Sequence, residues 1–132
     1  MDDVDRTISA LCQFPLDYRD KTLNLSPRQL IARSGYPSVA TQVTVERMAE
    51  FLATRPDLVD VWFQWSEDQR WSPAWWMSEQ APGEFRVGYY DPQAAAEPEP
   101  LVFQNKVRAC AEFALRVVVS IDPHSSQGEE YG

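Results

Sequence analysis

The spacing of apolar residues changes once along this chain, and that change limits the fold classes open to it. Between Pro56 and Ser66, apolar residues recur every three or four positions, as in a helix that buries one face. The residues of this stripe are Leu58, Val61, Trp62 and Trp65. After residues 66–70 the spacing becomes alternating, which is typical of half-buried strands. Both patterns in one short chain predict an α+β fold.

Capping residues mark the starts of three helices. Ser26 followed by Pro27 predicts an N-cap and a first helical residue, and Gly35 is suited to end that helix in a left-handed conformation. Thr44 and Pro56 predict two further starts. A last helix is predicted from about Gln104 to Val119, where small and aliphatic residues again follow a helical period. Upstream of these, residues 1–25 predict a short helix or an extended arm that stops at Pro15.

Two strands are predicted at Ala74–Glu79 and Glu84–Tyr90, joined by a turn over residues 80–83. A two-stranded hairpin is marginal alone, so a helix must cover it or a third strand must join it. The segment Leu101–Phe103 is the candidate for that strand.

Alternation along the first strand places Trp75 and Trp76 on opposite faces of the sheet. We expect Trp75 in the core with Phe85 and Val87. Trp76 is then expected either under a second layer or on a binding surface.

The predicted architecture is a single domain over residues 1–132, with about four helices packed on a small antiparallel sheet of two or three strands. Residues 1–7 and 123–132 are expected to be flexible tails. Residues 91–100 contain three prolines and are expected to form an exposed loop.

The acidic residues are unevenly distributed along the chain. It has 12 Lys and Arg against 20 Asp and Glu, a net charge of −8. Residues 1–55 carry seven of each sign, and residues 56–132 carry five basic and thirteen acidic residues, so the whole excess lies in the second part. Such a field repels nucleic acid and attracts basic protein surfaces. We therefore expect a basic protein partner and no nucleic-acid partner.

The compartment is predicted from two further features. No apolar run reaches the roughly 20 residues that cross a bilayer, and the first residues are acidic where a signal peptide is basic. We expect a cytoplasmic protein that does not bind membranes. Cys12 and Cys110 are then expected to be reduced packing residues.

Residue types that catalysis and metal binding require are scarce. His124 is the only histidine and lies in the predicted C-terminal tail, and one His with two Cys is too few for a zinc site. No phosphate- or dinucleotide-binding glycine motif is present. We therefore expect no enzyme activity, no cofactor and no metal. The adjacent carboxylates Glu67 and Asp68, near Trp65 and Trp71, leave open a sugar-binding or hydrolytic alternative.

Five tryptophans fall within fifteen residues, between Trp62 and Trp76. Large aromatic side chains build the cores of small domains, and Trp62 and Trp65 lie on the helical stripe. Aromatic residues beside acids also suit a patch that binds a basic partner. The residues expected to contact a partner are Asp60, Glu67, Asp68, Trp71, Trp76, Glu79, Glu84 and Tyr90.

The segments WSEDQR at 65–70 and SPAWW at 72–76 resemble a "SEDKR…GWY" pattern of small, uncharacterised bacterial proteins. Later parts of that pattern are a Val-Gly-Tyr strand, at 87–89 in this chain, and an Ala-Cys-Ala helix, at 109–111. This chain departs from it at Gln69, where lysine is usual, and at Ala74, where glycine is usual. The group is similar to the small acidic proteins that accompany polymorphic or type VI-secreted toxins, which implies an immunity protein.

The sequence and the resemblance together predict a cytoplasmic immunity protein that neutralises a cognate toxin by occlusion. In this hypothesis the carboxylates pair with basic residues of the toxin, and the aromatic side chains serve as buried anchors. The alternatives are a non-catalytic, homodimeric adaptor domain and a carboxylate-based sugar-binding protein or hydrolase.

Overall fold

The computed structural model describes residues 3–20, 22–68, 74–91 and 99–121. Within these ranges the chain forms seven α-helices, one 3₁₀ turn (Ala40–Gln42) and three strands, which confirms the α+β class and exceeds the expected four helices. The helices are α1 (Asp3–Cys12), α2 (Phe14–Arg19), α3 (Pro27–Ser34), α4 (Tyr36–Val39), α5 (Val45–Ala53), α6 (Pro56–Asp68) and α7 (Lys106–Ile121). The strands are β1 (Ala74–Ala81), β2 (Glu84–Tyr90) and β3 (Leu101–Phe103), in an antiparallel sheet of order β1-β2-β3.

The predicted helix starts are confirmed by their capping geometry. Ser26 accepts a hydrogen bond from the Gln29 backbone N–H at 3.2 Å, and the Gln29 side chain accepts one from the Ser26 N–H at 2.8 Å. Thr44 caps α5 by accepting from the Arg47 N–H at 3.2 Å. Gly35 ends α3 with φ of +86°, as the left-handed cap requires.

Of the two alternatives for residues 1–25, the short helix is confirmed as α1, whereas two details of the N-terminal prediction are wrong. Residues 3–7, expected to belong to a flexible tail, form the first part of α1, because Val4 and Thr7 are buried against the rest of the fold. Pro15 does not end the helical region but lies in the first turn of α2, where a missing N–H leaves no hydrogen bond unmade. Residues 92–98 of the expected loop, and the expected tail over 123–132, lie outside the described residues.

The core is organised around Trp62 of α6, which is fully buried. Its indole N–H donates to the backbone carbonyl of Cys12 at 3.0 Å, which satisfies the one polar atom of the ring. The ring stacks on Phe14 of α2 at a centroid distance of 6.1 Å and meets Phe113 of α7 edge-on at 5.8 Å. One side chain therefore joins α1, α2, α6 and α7.

Both cysteines are free and buried in this core, as expected of packing residues. Burial raises the pKa of the Cys12 thiol to about 12 and also raises the pKa of Cys110. Both thiols are therefore protonated at neutral pH, and a protonated thiol is a poor nucleophile.

Helices α6 and α7 cover one face of the sheet, where Met77 and Val87 are almost fully buried. Trp75 lies on the same face, packs against the core and contacts Tyr89 edge-on at 5.3 Å, which confirms its predicted direction. None of the described helices is long and apolar enough to cross a membrane.

Ser66, near the end of α6, holds β1 against the helical layer. Its buried hydroxyl accepts a hydrogen bond from the Met77 N–H at 2.8 Å and donates one to the Met77 carbonyl at 3.1 Å. Both backbone groups of Met77 are thus paired with a helix side chain at the edge of the sheet. The same contact fixes which side chains of β1 point toward the helices.

Replacing Ser66 by alanine should therefore lower the free energy of unfolding by more than the loss of a single hydrogen bond would. Two buried backbone groups would lose their partner, at a cost of about 2–4 kcal/mol in the free energy of unfolding. Urea denaturation measures this loss. The matched control is Ser120→Ala, since the Ser120 hydroxyl bonds only the Val117 carbonyl in the last turn of α7. Equal losses in the two variants would contradict the role of Ser66 as the link between helix and sheet.

Candidate functional site

The face of the sheet that points away from α6 and α7 is the candidate site, and we call it the outer face. The alternation that turns Trp75 and Met77 toward the helices turns their neighbours in β1 outward, and β2 and β3 follow the same register. The outer face comprises Trp76, Ser78, Gln80, Glu84, Arg86, Gly88, Tyr90 and Val102. Sequence reasoning selected Trp76, Glu84 and Tyr90 from this set. The same alternation identifies the others except Gln80, which lies at the register shift between Glu79 and Ala81 and lines the same concavity.

Trp76 occupies the centre of the outer face because its partner in β2 is a glycine. Gly88 lies directly opposite Trp76 in the register. A Cβ atom at position 88 would lie only 2.5 Å from Cζ2 of the indole. The ring therefore lies across the backbone of the neighbouring strand, in space that any larger residue would fill, and it is half-buried.

Beside the indole is an open concavity of about 420 Å³, lined by Trp76, Ser78, Gln80 and Tyr90. The Gln80 amide donates a hydrogen bond to the Ser78 hydroxyl, which orders the polar side of the depression. Two half-buried aromatic rings and two neutral polar side chains thus line one depression on the surface of the sheet. Aromatic side chains combined with a few fixed polar groups are typical of binding surfaces.

The carboxylates of this region are already paired within the protein. Both Nε and Nη2 of Arg86 donate to Oε2 of Glu84, at 2.9 and 2.6 Å. Glu79 lies at the hairpin end, where its carboxylate accepts from the Gly83 N–H at 3.1 Å. On the described outer face one acid and one base cancel, so the patch is locally neutral. The sequence did not predict this, because Arg86 was not considered as a partner for Glu84.

Asp60 is not part of the outer face. It lies on α6 and its carboxylate is 3.4 Å from the Nζ atom of Lys106 at the start of α7. That ammonium also lies 5.0 Å above the ring of Phe63. Asp60 therefore belongs to a contact between two helices and is separate from the predicted aromatic anchors.

Three predicted residues lie partly or wholly outside the described structure. Glu67 and Asp68 are the last two residues of α6, and their side chains lie outside the described residues. Trp71 lies outside them entirely. Whether these residues contact a partner stays a prediction.

Sequence reasoning missed a second exposed group on α2. Leu16 and Tyr18 are 41% and 45% exposed, although both are large and apolar or aromatic. The Tyr18 ring packs on Phe14 at 6.3 Å and edge-on against Trp65 at 5.3 Å, so its inner side is held by the core. The sequence signal that could have identified this group is Pro15, because proline is favoured in the first turn of a helix and so indicates that Leu16 and Tyr18 are helical.

Comparisons of the chain with protein-family models, curated proteins and solved structures yield no significant match. In the part of the chain that the structure describes, no three His, Cys, Asp or Glu side chains are grouped so that they could hold a metal ion. The interpretation of the site therefore depends on its own geometry.

The close approach of Trp76 to Gly88 can be tested by a double-mutant cycle. Gly88→Ala should lower the free energy of unfolding by about 1–3 kcal/mol, because the indole must leave its place. In a Trp76→Ala background the same change should cost less than about 0.5 kcal/mol. Gly83→Ala is the matched control: its φ of +78° is strained for alanine, but no atom lies within 4 Å of the added carbon. The loss of stability caused by Gly83→Ala should be the same with and without Trp76→Ala. If the effects of Gly88→Ala and Trp76→Ala were also additive, the contact between the indole and Gly88 would be contradicted.

Proposed function

We propose that this protein acts by binding: it is an immunity protein that captures a basic toxin on its outer face and blocks the toxin by occlusion. The observation that carries the proposal is the placement of Trp76 across Gly88, with Tyr90 beside it, on the sheet face opposite the covering helices. The toxin type, polymorphic or type VI-secreted, follows from the sequence resemblance. In this proposal the protein has no catalytic role and works in the cytoplasm.

The aromatic residues suit the role of anchors. Tryptophan and tyrosine bury a large area with few rotatable bonds, and they are enriched among the residues that dominate binding energy. Trp76 and Tyr90 lie on hydrogen-bonded strands, so little backbone entropy is lost when a partner covers them. Both side chains are only half-buried, which leaves part of each ring for a partner to cover.

The charges have a different role from the one expected from the sequence. Glu84 is paired with Arg86, Glu79 with a backbone N–H and Asp60 with Lys106, so none of the three is an isolated carboxylate awaiting a partner. The net charge of −8 still produces a long-range field that favours encounter with a basic protein. In this proposal the charge raises the association rate, and the neutral aromatic patch determines how long the complex lasts.

The homodimeric adaptor remains the second candidate, because one observation favours it. The outer face is locally neutral and includes Val102, which is 52% exposed, so two copies would bury apolar area without pairing like charges there. Repulsion between two chains of net charge −8 opposes this. Light scattering at increasing salt distinguishes the two: a dimer that strengthens with salt supports the adaptor, and a monomer throughout supports the immunity protein.

The binding face is tested with the product of a toxin gene encoded alongside, co-expressed and captured on this protein. We expect Trp76→Ala and Tyr90→Ala each to raise the Kd by about ten- to several hundred-fold, as loss of a central aromatic anchor does. Val119→Ala is the control, since Val119 is 37% exposed but lies on α7. Failure to capture any basic protein, or an equal effect of all three variants, would contradict the proposal.

The separate role of charge gives a kinetic prediction for the same complex. Raising the salt concentration should lower the association rate constant about ten-fold or more and leave the dissociation rate almost unchanged. Surface plasmon resonance measures both rates. A dissociation rate that rises with salt as steeply as association falls would show that ion pairs hold the complex, and would rule out a neutral aromatic patch as the main source of its lifetime.

A further inference from the structure

A second concave site lies between α1, α2 and α3, and we call it the crevice. Its volume is about 260 Å³. The floor is formed by the buried side chains of Leu11, Phe14 and Ile31, and the walls by the half-buried Leu23 and Leu30. This volume lies just below the range of about 300–1,000 Å³ that is usual for small-molecule sites, and suits one long side chain better than a whole ligand.

One carboxylate lies in this apolar surrounding. Asp17 of α2 lines the crevice and is half-buried, and no described group donates a hydrogen bond to its side chain. Arg33 of α3 also lines the crevice, but the two groups do not approach to within ion-pair distance. Desolvation and the nearby Asp20 raise the pKa of Asp17, and Arg33 offsets part of that rise. The ionised carboxylate is thus less stable in the crevice than in water, and a cation placed beside it would stabilise it.

We infer that the crevice receives a lysine or arginine side chain of a protein partner, with the aliphatic stem along Leu23 and Leu30 and the cationic head at Asp17. Long basic side chains lie along apolar surface in this manner and place their charge at its edge. The exposed Leu16 and Tyr18 of α2 extend the contact area beside the crevice. This inference rests on the proposed function only in that the partner is a basic protein.

The charges near the crevice favour a cationic occupant over an anionic group, a second copy of this chain or a neutral apolar group. Asp17 and Arg33 are the charged side chains that line the crevice. The repulsion between Asp20 and Asp17 outweighs the attraction of Arg33, so an anionic group placed at Asp17 would be repelled. A second copy of this chain would approach with a net charge of −8, which opposes self-association through this acidic region. A neutral apolar group would fill the walls but would offer the Asp17 carboxylate no hydrogen-bond donor and would displace water from it.

The experiment uses n-pentylguanidinium as the probe, in an NMR titration of ¹⁵N-labelled protein at constant ionic strength. The expected result is a saturable shift of the amide signals of Asp17, Leu30, Ile31 and Arg33. n-Pentanol and guanidinium without the chain are the two probe controls, and each should bind at least about ten-fold more weakly. Equal binding of n-pentanol would show a purely apolar crevice, and no shift in these signals would show that it admits no side chain; either result overturns the inference.

Asp17→Asn tests the carboxylate directly, with Glu50→Gln as the charge-matched control on α5. Asp17→Asn should weaken n-pentylguanidinium binding about ten-fold or more, and Glu50→Gln should leave it unchanged. Because a raised pKa means that ionised Asp17 disfavours folding above that pKa, Asp17→Asn should be at least as stable as the wild type at pH 7. An Asp17→Asn variant that binds the probe normally would refute the role of the carboxylate.

These outcomes are separable from those of the proposed function, because the probe needs no toxin. If the protein captures its toxin but does not bind n-pentylguanidinium, the proposed function is supported and this inference is contradicted. If the protein binds n-pentylguanidinium through Asp17 but captures no basic protein, the site for a basic side chain is supported and the immunity role is contradicted.

Discussion

The hydrogen bonds between Ser66 and Met77 are the constraint on which the candidate site depends. They tie one residue of β1 to α6 through both of its backbone groups. Because side chains of a strand alternate with a period of two, fixing Met77 toward the helices also fixes Trp76 away from them. A slip of one residue would bury Trp76 and expose Met77. The composition of the outer face is therefore a consequence of how α6 meets the sheet, as well as of which residues the hairpin contains.

Aromatic and acidic residues that are neighbours in the sequence have different surroundings in the fold. Aromatic and acidic residues are interspersed along the chain between 60 and 90, which suggested one patch with both properties. In the fold, Trp76 and Tyr90 lie together on the outer face, whereas Asp60 pairs with Lys106 on the helical layer and Glu84 with Arg86. In the proposed function, short-range affinity therefore comes from the aromatic patch, and long-range steering comes from the net charge of −8. This division is common where neutral anchors are surrounded by a charged surface.

The fold was predictable where local chemistry decides the outcome. The caps at Ser26 and Thr44 start helices because their side chains bind backbone N–H groups, whatever the surroundings, and alternation placed Trp76 outward. Near the N-terminus, α1 was predicted only as an alternative to an extended arm, and α2 and α4 were missed, because helices of four to ten residues depend on tertiary packing more than on their own propensity. The pairing of Glu84 with Arg86 was missed because the acids were considered only as groups that face a partner.

The most direct test of the outer face as the main contact is hydroxyl-radical footprinting of the protein alone and in complex with the partner that it captures, read side chain by side chain. The oxidation rates of Trp76 and Tyr90 should fall about ten-fold or more in the complex, while that of the buried Trp62 stays low in both states. Unchanged oxidation of Trp76 and Tyr90 in a saturated complex would show that the partner binds elsewhere, and would contradict the assignment of the outer face.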